Sequence, residues 1–388
     1  MRGTRVPHSH PVQSSWPKLD WAKNKLLNRC SNVKQKEKFS QAARDAIIEG
    51  HCRVKSRQKS TIYDIAQKAG ASPSAVSAAL NGKWKQRRLK KETVDRIQRI
   101  AQEEGYMANL QARGLRKAES GLAGMVLPDH ENRFFAELSQ QFAKEAHARG
   151  LCPAIVHAGR DADAQLTSVE SLIAYSVDLL MIAGATEPLS LASACSKARI
   201  RHVFVDHPCS EAPSIVTDNT GGAAMLTKTL LDEMDLPSET DPTTWLYFLG
   251  GESSLPASAD RIQGFRQQAE AAKVLFDTGQ ILACGYESEK AEEALAELYS
   301  NLGQLPAGLF VNSIGCFEGV LRFLSRLPEG DISRSTFGCF DHDPFATLSR
   351  FPLRMVRQRA DLMVEEAFRQ LDKGTSEACL IRVAPDLV

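Results

Sequence analysis

The stretch TIYDIAQKAGASPSAVSAALNG, residues 61–82, reads as two short helices separated by a tight turn. Ser60 or Thr61 offers a hydroxyl to cap a helix over residues 62–69, whose Ile62, Ile65, Ala66 and Ala69 fall on one face. Gly70 ends that helix, and Ser72 caps the next, which runs to Leu80. Pro73 stands at its first position, where a missing N–H costs nothing. Val76 and Leu80 face back toward the first helix, and the small Ala66 and Gly70 allow a close crossing. Asn81-Gly82 supplies a turn that accepts positive φ. A third helix is expected over 91–104, with Val94, Ile97, Ile100 and Ala101 on one face and Gly105 as its stop. This is the helix-turn-helix pattern, in which the second helix lies in a DNA major groove.

Charge supports a polyanionic partner for this region. Residues 1–50 carry ten Lys/Arg and four Asp/Glu, residues 51–117 sixteen and five, and residues 118–388 twenty-two and thirty-eight. A net charge of +1 therefore hides a basic front and an acidic body. Pro73, Ser74, Ser77 and Ala78 would sit nearest the bases. The serines would act as hydrogen-bonding groups and Ala78 as a contact for a thymine methyl. Lys83, Lys85, Arg87, Arg88 and Lys90, in and just after the loop KWKQRR, suit phosphates, which set position and affinity rather than sequence preference.

From Leu122 the rhythm changes to short apolar runs alternating with amphipathic helices. Strands are expected at 122–127, 151–157, 177–183, 202–206 and 215–218, then again at 245–250, 281–285, 308–312, 336–340 and 353–356. Helices fall between them, near 132–149, 162–174, 188–198, 220–234, 258–275, 288–300, 316–326 and 360–372. A βαβ pattern repeated in two halves predicts two lobes with a cleft at the carboxyl ends of their strands. The expected organisation is a basic extension over 1–59 with little stable structure, a helix-turn-helix domain over 60–107, a short linker over 108–117 and a two-lobed α/β domain over 118–388.

Other classes fit poorly. No apolar run reaches the roughly 18 residues of a membrane helix, and the basic start MRGTRVPHSHPVQSSW leads into no apolar segment, so a cytoplasmic location is expected. The nine cysteines are scattered without a C-x-x-C pair, as free thiols in a reducing compartment would be. Phosphate-loop, dinucleotide and zinc-protease motifs are missing. The expectation is a protein that is not an enzyme and uses no cofactor or metal.

Residues 61–82, together with Thr93, Ile97, Gly105-Tyr106 and Asn109, resemble the signature of the lactose/galactose repressor (LacI/GalR) family of transcription regulators. The stretches NGKWKQRR from Asn81, VLPDHEN from Val126 and Thr336-Phe-Gly338 resemble its fructose repressor (catabolite repressor–activator) and sucrose repressor subgroup. The resemblance implies a multidomain chain: an all-α helix-turn-helix head plus a two-lobed α/β, periplasmic-binding-protein-like effector domain. It implies a homodimer on operator DNA, and a hinge helix in which Asn109, Ala112 and Leu115 correspond to the minor-groove elements, Leu115 as an apolar wedge.

It also implies a sugar or sugar-phosphate effector between the lobes, with fructose 1-phosphate the expectation and a neutral sugar, polyol or sugar acid the alternative. Asp129, Asn132 and Phe134 (with Phe135), Asp206, His207, Asn312, Ser313 and Asp341 lie just past strand ends and are candidate ligand contacts. Arg261, in SADRIQGFR, matches the family segment with an effector-contacting arginine, and Arg359 is a second cation for a phosphate. His207 stands where many relatives carry arginine, and Cys339 replaces a usual glycine.

Overall fold

The computed structural model describes residues 60–106, 119–128, 132–235, 238, 240–274, 276–349, 351–374 and 377–388. The extension expected over 1–59 and the linker expected over 108–117 lie outside them. The chain divides into two compact units, one ending at Ala108 and the other beginning at Asn109.

In the first unit, α1 (Ile62–Ala69) opens with a reciprocal cap: the Asp64 amide donates to the Thr61 hydroxyl, and the Asp64 carboxylate accepts from the Thr61 amide. Gly70, at φ 59°, closes it in the left-handed region. α2 (Pro73–Leu80) starts at the Ser72 cap, and α3 (Lys91–Glu103) crosses both. Ile65, Val76 and Ile97 are fully buried at their common contact. The basic loop is a run of turns, and its Trp84 and Leu89 pack on that core while its cations stay outside.

The second unit holds the two expected lobes, but the chain does not finish one before building the other. β1 (Leu122–Leu127), α4 (Arg133–Ala148), β2 (Cys152–His157), α5 (Ala162–Ala174), β3 (Leu179–Ala183), α6 (Pro188–Lys197), β4 (Arg201–Val205) and β5 (Ser214–Thr217) build most of the first lobe. The chain then crosses over for α7 (Asn219–Glu233), β6 (Leu246–Leu249), α8 (Pro256–Ala271), β7 (Ile281–Leu282), α9 (Ser288–Leu302), β8 (Gly308–Val311), α10 (Ile314–Leu324), α11 (Glu329–Ile332), β9 (Thr336–Phe340) and β10 (Leu353–Arg357). It crosses back for α12 (Ala360–Lys373) and β11 (Leu380–Val383), and once more for β12 (Asp386–Leu387).

The first sheet runs β11-β5-β4-β3-β1-β2, parallel throughout; the second runs β12-β10-β9-β8-β6-β7, parallel except for β12. α12 returns because its apolar face fits the first lobe. Met363, Val364, Ala367 and Phe368 are completely buried there, and Phe368 stacks on Phe142 with centroids 5.6 Å apart. Periodicity identifies such a helix but not the lobe that receives it.

One close packing positions the cleft. α8 lies against α7 at Gly264, where a Cβ would be driven into the Thr220 carbonyl. That approach sets Arg261, one turn earlier on α8, against the start of α7. Replacing Gly264 with Ala is expected to destabilise the second lobe by about 1–3 kcal/mol, the usual range for overpacking. Urea unfolding of the variant against the wild type checks this, and an unchanged midpoint and slope would contradict it.

Candidate functional site

The loops after the strands of both lobes meet in a narrow cleft. The first lobe contributes Asn132, Phe134, Phe135, Arg160, Asp206 and His207; the second contributes Ala257, Arg261, Tyr286, Ser313 and Asp341, with Gln358 from the second crossing. The space between them is about 30 Å³, far below the roughly 300 Å³ at which ligand pockets begin. A larger depression, about 400 Å³, lies along the solvent side of α8 beside Gln263, Arg266 and Glu270. The smaller space is the better candidate because buried charges converge on it.

Two aspartates occupy equivalent places. Asp206 follows β4 in the run Phe-Val-Asp-His-Pro, and Asp341 follows β9 in Cys-Phe-Asp-His-Asp-Pro. Both hold positive φ, 73° and 105°, a conformation costing a non-glycine residue about 1–3 kcal/mol. This internal repeat is legible in the sequence and marks the pair as one feature.

Asp341 is buried and accepts from the Gln358 side chain at 2.6 Å and from the Ile314 amide at 3.3 Å. Burial pushes its carboxyl above the usual range, while the Arg261 charge and these two hydrogen bonds oppose the rise.

Arg261 is only 3% exposed. Its Nε donates to the Asn219 side-chain oxygen at 2.8 Å and its Nη1 to the Asn312 carbonyl at 2.6 Å. Its guanidinium carbon lies 3.8 Å from the centroid of the Phe340 ring. These partners are neutral, so the charge stays available to a ligand and to Asp341. On the facing lobe, Arg160 reaches over the ring of Tyr286 at 5.4 Å, and the Tyr286 hydroxyl is 2.7 Å from that of Ser258.

The remaining expected contacts divide. Asn132 caps α4 by accepting from the Phe134 amide, and Phe134 and Phe135 form an apolar wall. His207 is buried with Nδ1 2.8 Å from the Ala185 carbonyl and Nε2 3.8 Å from Asp206. Ser313 caps α10 and lines the cleft. Asn312 is completely buried beneath Gly251, with both side-chain polar atoms lacking a protein partner.

Arg359 is not a cleft cation: it pairs with Asp361 at 2.9 Å and Asp386 at 3.3 Å beside the crossings. Cys339 does not touch the cleft either, being fully buried in the second-lobe core beside Met355 and Phe337. Arg160, Tyr286, Asn219 and Gln358 were absent from the sequence candidates. Asn219 and Gln358 sit where the chain changes lobe, which periodicity does not reveal. Asp129 lies outside the described residues.

On the head, Pro73 and Ser74 at the start of α2 are exposed. Ser77 is half-buried, and its carbonyl and hydroxyl accept from the Asn81 side chain at 2.7 and 3.2 Å. Ala78 is only 7% exposed, which leaves its methyl little surface for a thymine. Lys83, Lys85, Arg87, Arg88 and Lys90 are exposed. Tyr63, absent from the sequence candidates, is 70% exposed. Asn109, Ala112 and Leu115 lie outside the described residues.

Residues 61–109 match the family model described as bacterial regulatory proteins, lacI family, and residues 123–341 match a periplasmic binding protein domain. The chain is 39% identical to the ribitol operon repressor of Klebsiella aerogenes over 204 residues, 52% of this chain and 74% of that protein. It is 30% identical over 292 residues to the sucrose operon repressor of Klebsiella pneumoniae, 74% of this chain and 84% of that one. Among solved structures, the Cra dual regulator of Pseudomonas putida in complex with fructose 1-phosphate superimposes with a TM-score of 0.60 at 20% identity, covering 69% of this chain and 98% of that one.

Fold and cleft together define a helix-turn-helix head joined in one chain to a two-lobed effector domain. The chain belongs to the LacI family of bacterial regulatory proteins; it is a DNA-binding regulator, not an enzyme. Among the described residues no helix is long and apolar enough to cross a membrane.

Because burial raises the Asp341 pKa, the native state holds that proton more tightly than the unfolded chain. Its contribution to stability is present below about pH 4, the unfolded carboxyl value, and is lost as pH rises through the native one. Asp341→Asn should remove this fall. Whatever the absolute change in stability, its melting temperature against pH should be flatter than the wild type's from about pH 4 upward. Thermal scans across that range check it, and an equally steep fall in the variant would count against it.

Proposed function

We propose that this protein is a transcriptional repressor whose hold on operator DNA is controlled by a neutral polyhydroxylated metabolite, a sugar alcohol or sugar, bound between the lobes. The observation that carries this reading is the charge arrangement of the cleft. Each lobe supplies one carboxylate and one guanidinium, Asp206 with Arg160 and Asp341 with Arg261. The formal charges cancel. A dianion would find no surplus cation, whereas adjacent hydroxyls can donate to each carboxylate and accept from each guanidinium. The similarity to a ribitol operon repressor supports the same class.

A sugar phosphate such as fructose 1-phosphate is the second reading. It is favoured by the two guanidiniums and by the ligand named for the Pseudomonas putida structure. The fructose repressor subgroup belongs to this second reading.

For the head, α2 is assigned to the major groove, with Pro73 and Ser74 toward base edges and Lys83, Lys85, Arg87, Arg88 and Lys90 toward phosphates. Operators read by such heads are commonly two-fold, so the working form is a homodimer. The domain limits 60–107, 108–117 and 118–388 carry these roles, in the cytoplasm where the operator is.

Two measurements test the scheme. With an operator identified by genome-wide mapping of bound sites, ribitol is expected to raise the melting temperature and release the DNA, and Arg261→Ala to abolish both effects. Fructose 1-phosphate acting where ribitol does not would replace the first reading with the second. Separately, Arg87→Ala should weaken binding to all duplexes alike and lower the slope of log affinity against log salt by about 1. A variant with an unchanged salt slope would remove Arg87 from the phosphate contacts.

A further inference from the structure

The charged groups of the second lobe that face the cleft are wired to the places where the chain changes lobe. Gln358, 5% exposed, lies in the second crossing, between β10 and α12. Its Nε2 donates to Asp341 Oδ1 at 2.6 Å, and its Oε1 accepts from the Thr217 hydroxyl at 2.6 Å. Thr217 ends β5, at the first crossing. Its carbonyl accepts from the Asn219 side chain at 3.2 Å, and the Asn219 oxygen accepts from Arg261 at 2.8 Å. An unbroken buried path thus runs from Asp341 through both crossings to Arg261. Thr217, Asn219, Arg261 and Asp341 are each at most 6% exposed.

We propose that Gln358 is the positioning residue that couples occupation of the cleft to the angle between the lobes. It rests on the cleft being the effector site, whatever the effector's chemical class.

The physical case is one of a shared amide. The two ends of the Gln358 side chain are tied in opposite directions, its NH2 to Asp341 and its oxygen to Thr217. Its donating end fixes the Asp341 carboxylate, and its accepting end ties the second crossing to the first. A hydroxyl that competes for Asp341 pulls on Gln358, which must then turn, lengthen its bond to Thr217 or carry the crossing with it. Gln358, Thr217 and Asp341 are almost wholly buried, so a lost bond here costs more than it would at the surface. Lobe rotation is the motion that relieves that cost. A ligand acts through such a bond only if the bond differs between the two lobe arrangements, and a bond spanning both crossings is placed to differ.

The test uses the full-length protein. A first arm reads the distance between lobes without any ligand, by single-molecule fluorescence transfer between dyes on non-natural residues at exposed Tyr175 and Glu297. Gln358→Leu removes both bonds and is expected to broaden or lengthen the distance at every pH. Gln358→Glu keeps an acceptor for Thr217 but needs a proton to face Asp341. It should resemble the wild type near pH 5 and the Leu variant near pH 8, because two carboxylates on one site share a proton. Arg261, Asp206 and His207 also face this group and stay in all three proteins, so the wild-type series at the same pH values is the control. A Glu variant with wild-type distances throughout, its fold confirmed by melting, would overturn the proposal.

In a second arm, with each protein measured at a ribitol concentration that saturates it, Gln358→Leu should lose at least tenfold of the ribitol-dependent drop in operator affinity. Retention of the whole drop would overturn it as well. If ribitol fails on the wild type, the polyol reading falls, and the first arm still decides the role of Gln358.

Discussion

A guanidinium and a carboxylate held nearly dry at the junction of two lobes are the constraint on which the rest of the effector domain turns. Burying either alone costs several kcal/mol, and the structure offsets this with hydrogen bonds from Asn219, the Asn312 carbonyl, Gln358 and the Ile314 amide. Those donors and acceptors come from the crossings and from the first turn after β8. The sheets, the crossings and the close α7–α8 contact at Gly264 therefore serve one requirement: they hold the solvation shell of two charges where water has been removed.

The head obeys simpler physics. Three short helices meet on Ile65, Val76 and Ile97, and the ends of the first two are closed by caps rather than by length. The basic loop is anchored by Trp84, so its cations project from a fixed base. Order in this loop means that less conformational freedom has to be surrendered when phosphates are engaged. Charge and shape thus agree in a unit of fewer than fifty described residues.

Strained backbone collects at the cleft. Asp206 and Asp341 sit at the same point in each lobe, each in a conformation that disfavours a side chain. Burial raises the Asp341 pKa, and the Asp206 charge nearby adds to the rise. A folded chain selected only for stability would place asparagine or glycine at such positions. The repeated Asp-His after both strands keeps charge where it is expensive, as expected of groups whose work is binding.

Much was legible before any coordinates. The caps at Thr61 and Ser72, the stops at Gly70 and Gly105 and the βαβ rhythm follow from local chemistry, which a linear reading captures; Asp206 and Asp341 were picked out by their places past strand ends, and Arg261 by the family resemblance. The lobe that receives α12, the three crossings, the neutral surroundings of Arg261 and the positions of Gln358 and Asn219 do not. Arg359 was expected as a second cation for a phosphate, and packing placed it instead in ion pairs with Asp361 and Asp386. Local sequence determines which groups are charged, apolar or able to end a helix. Which of them lose their water together depends on contacts across the chain, from 42 positions for Asn219 with Arg261 to 141 for Thr217 with Gln358, and only the tertiary structure decides those.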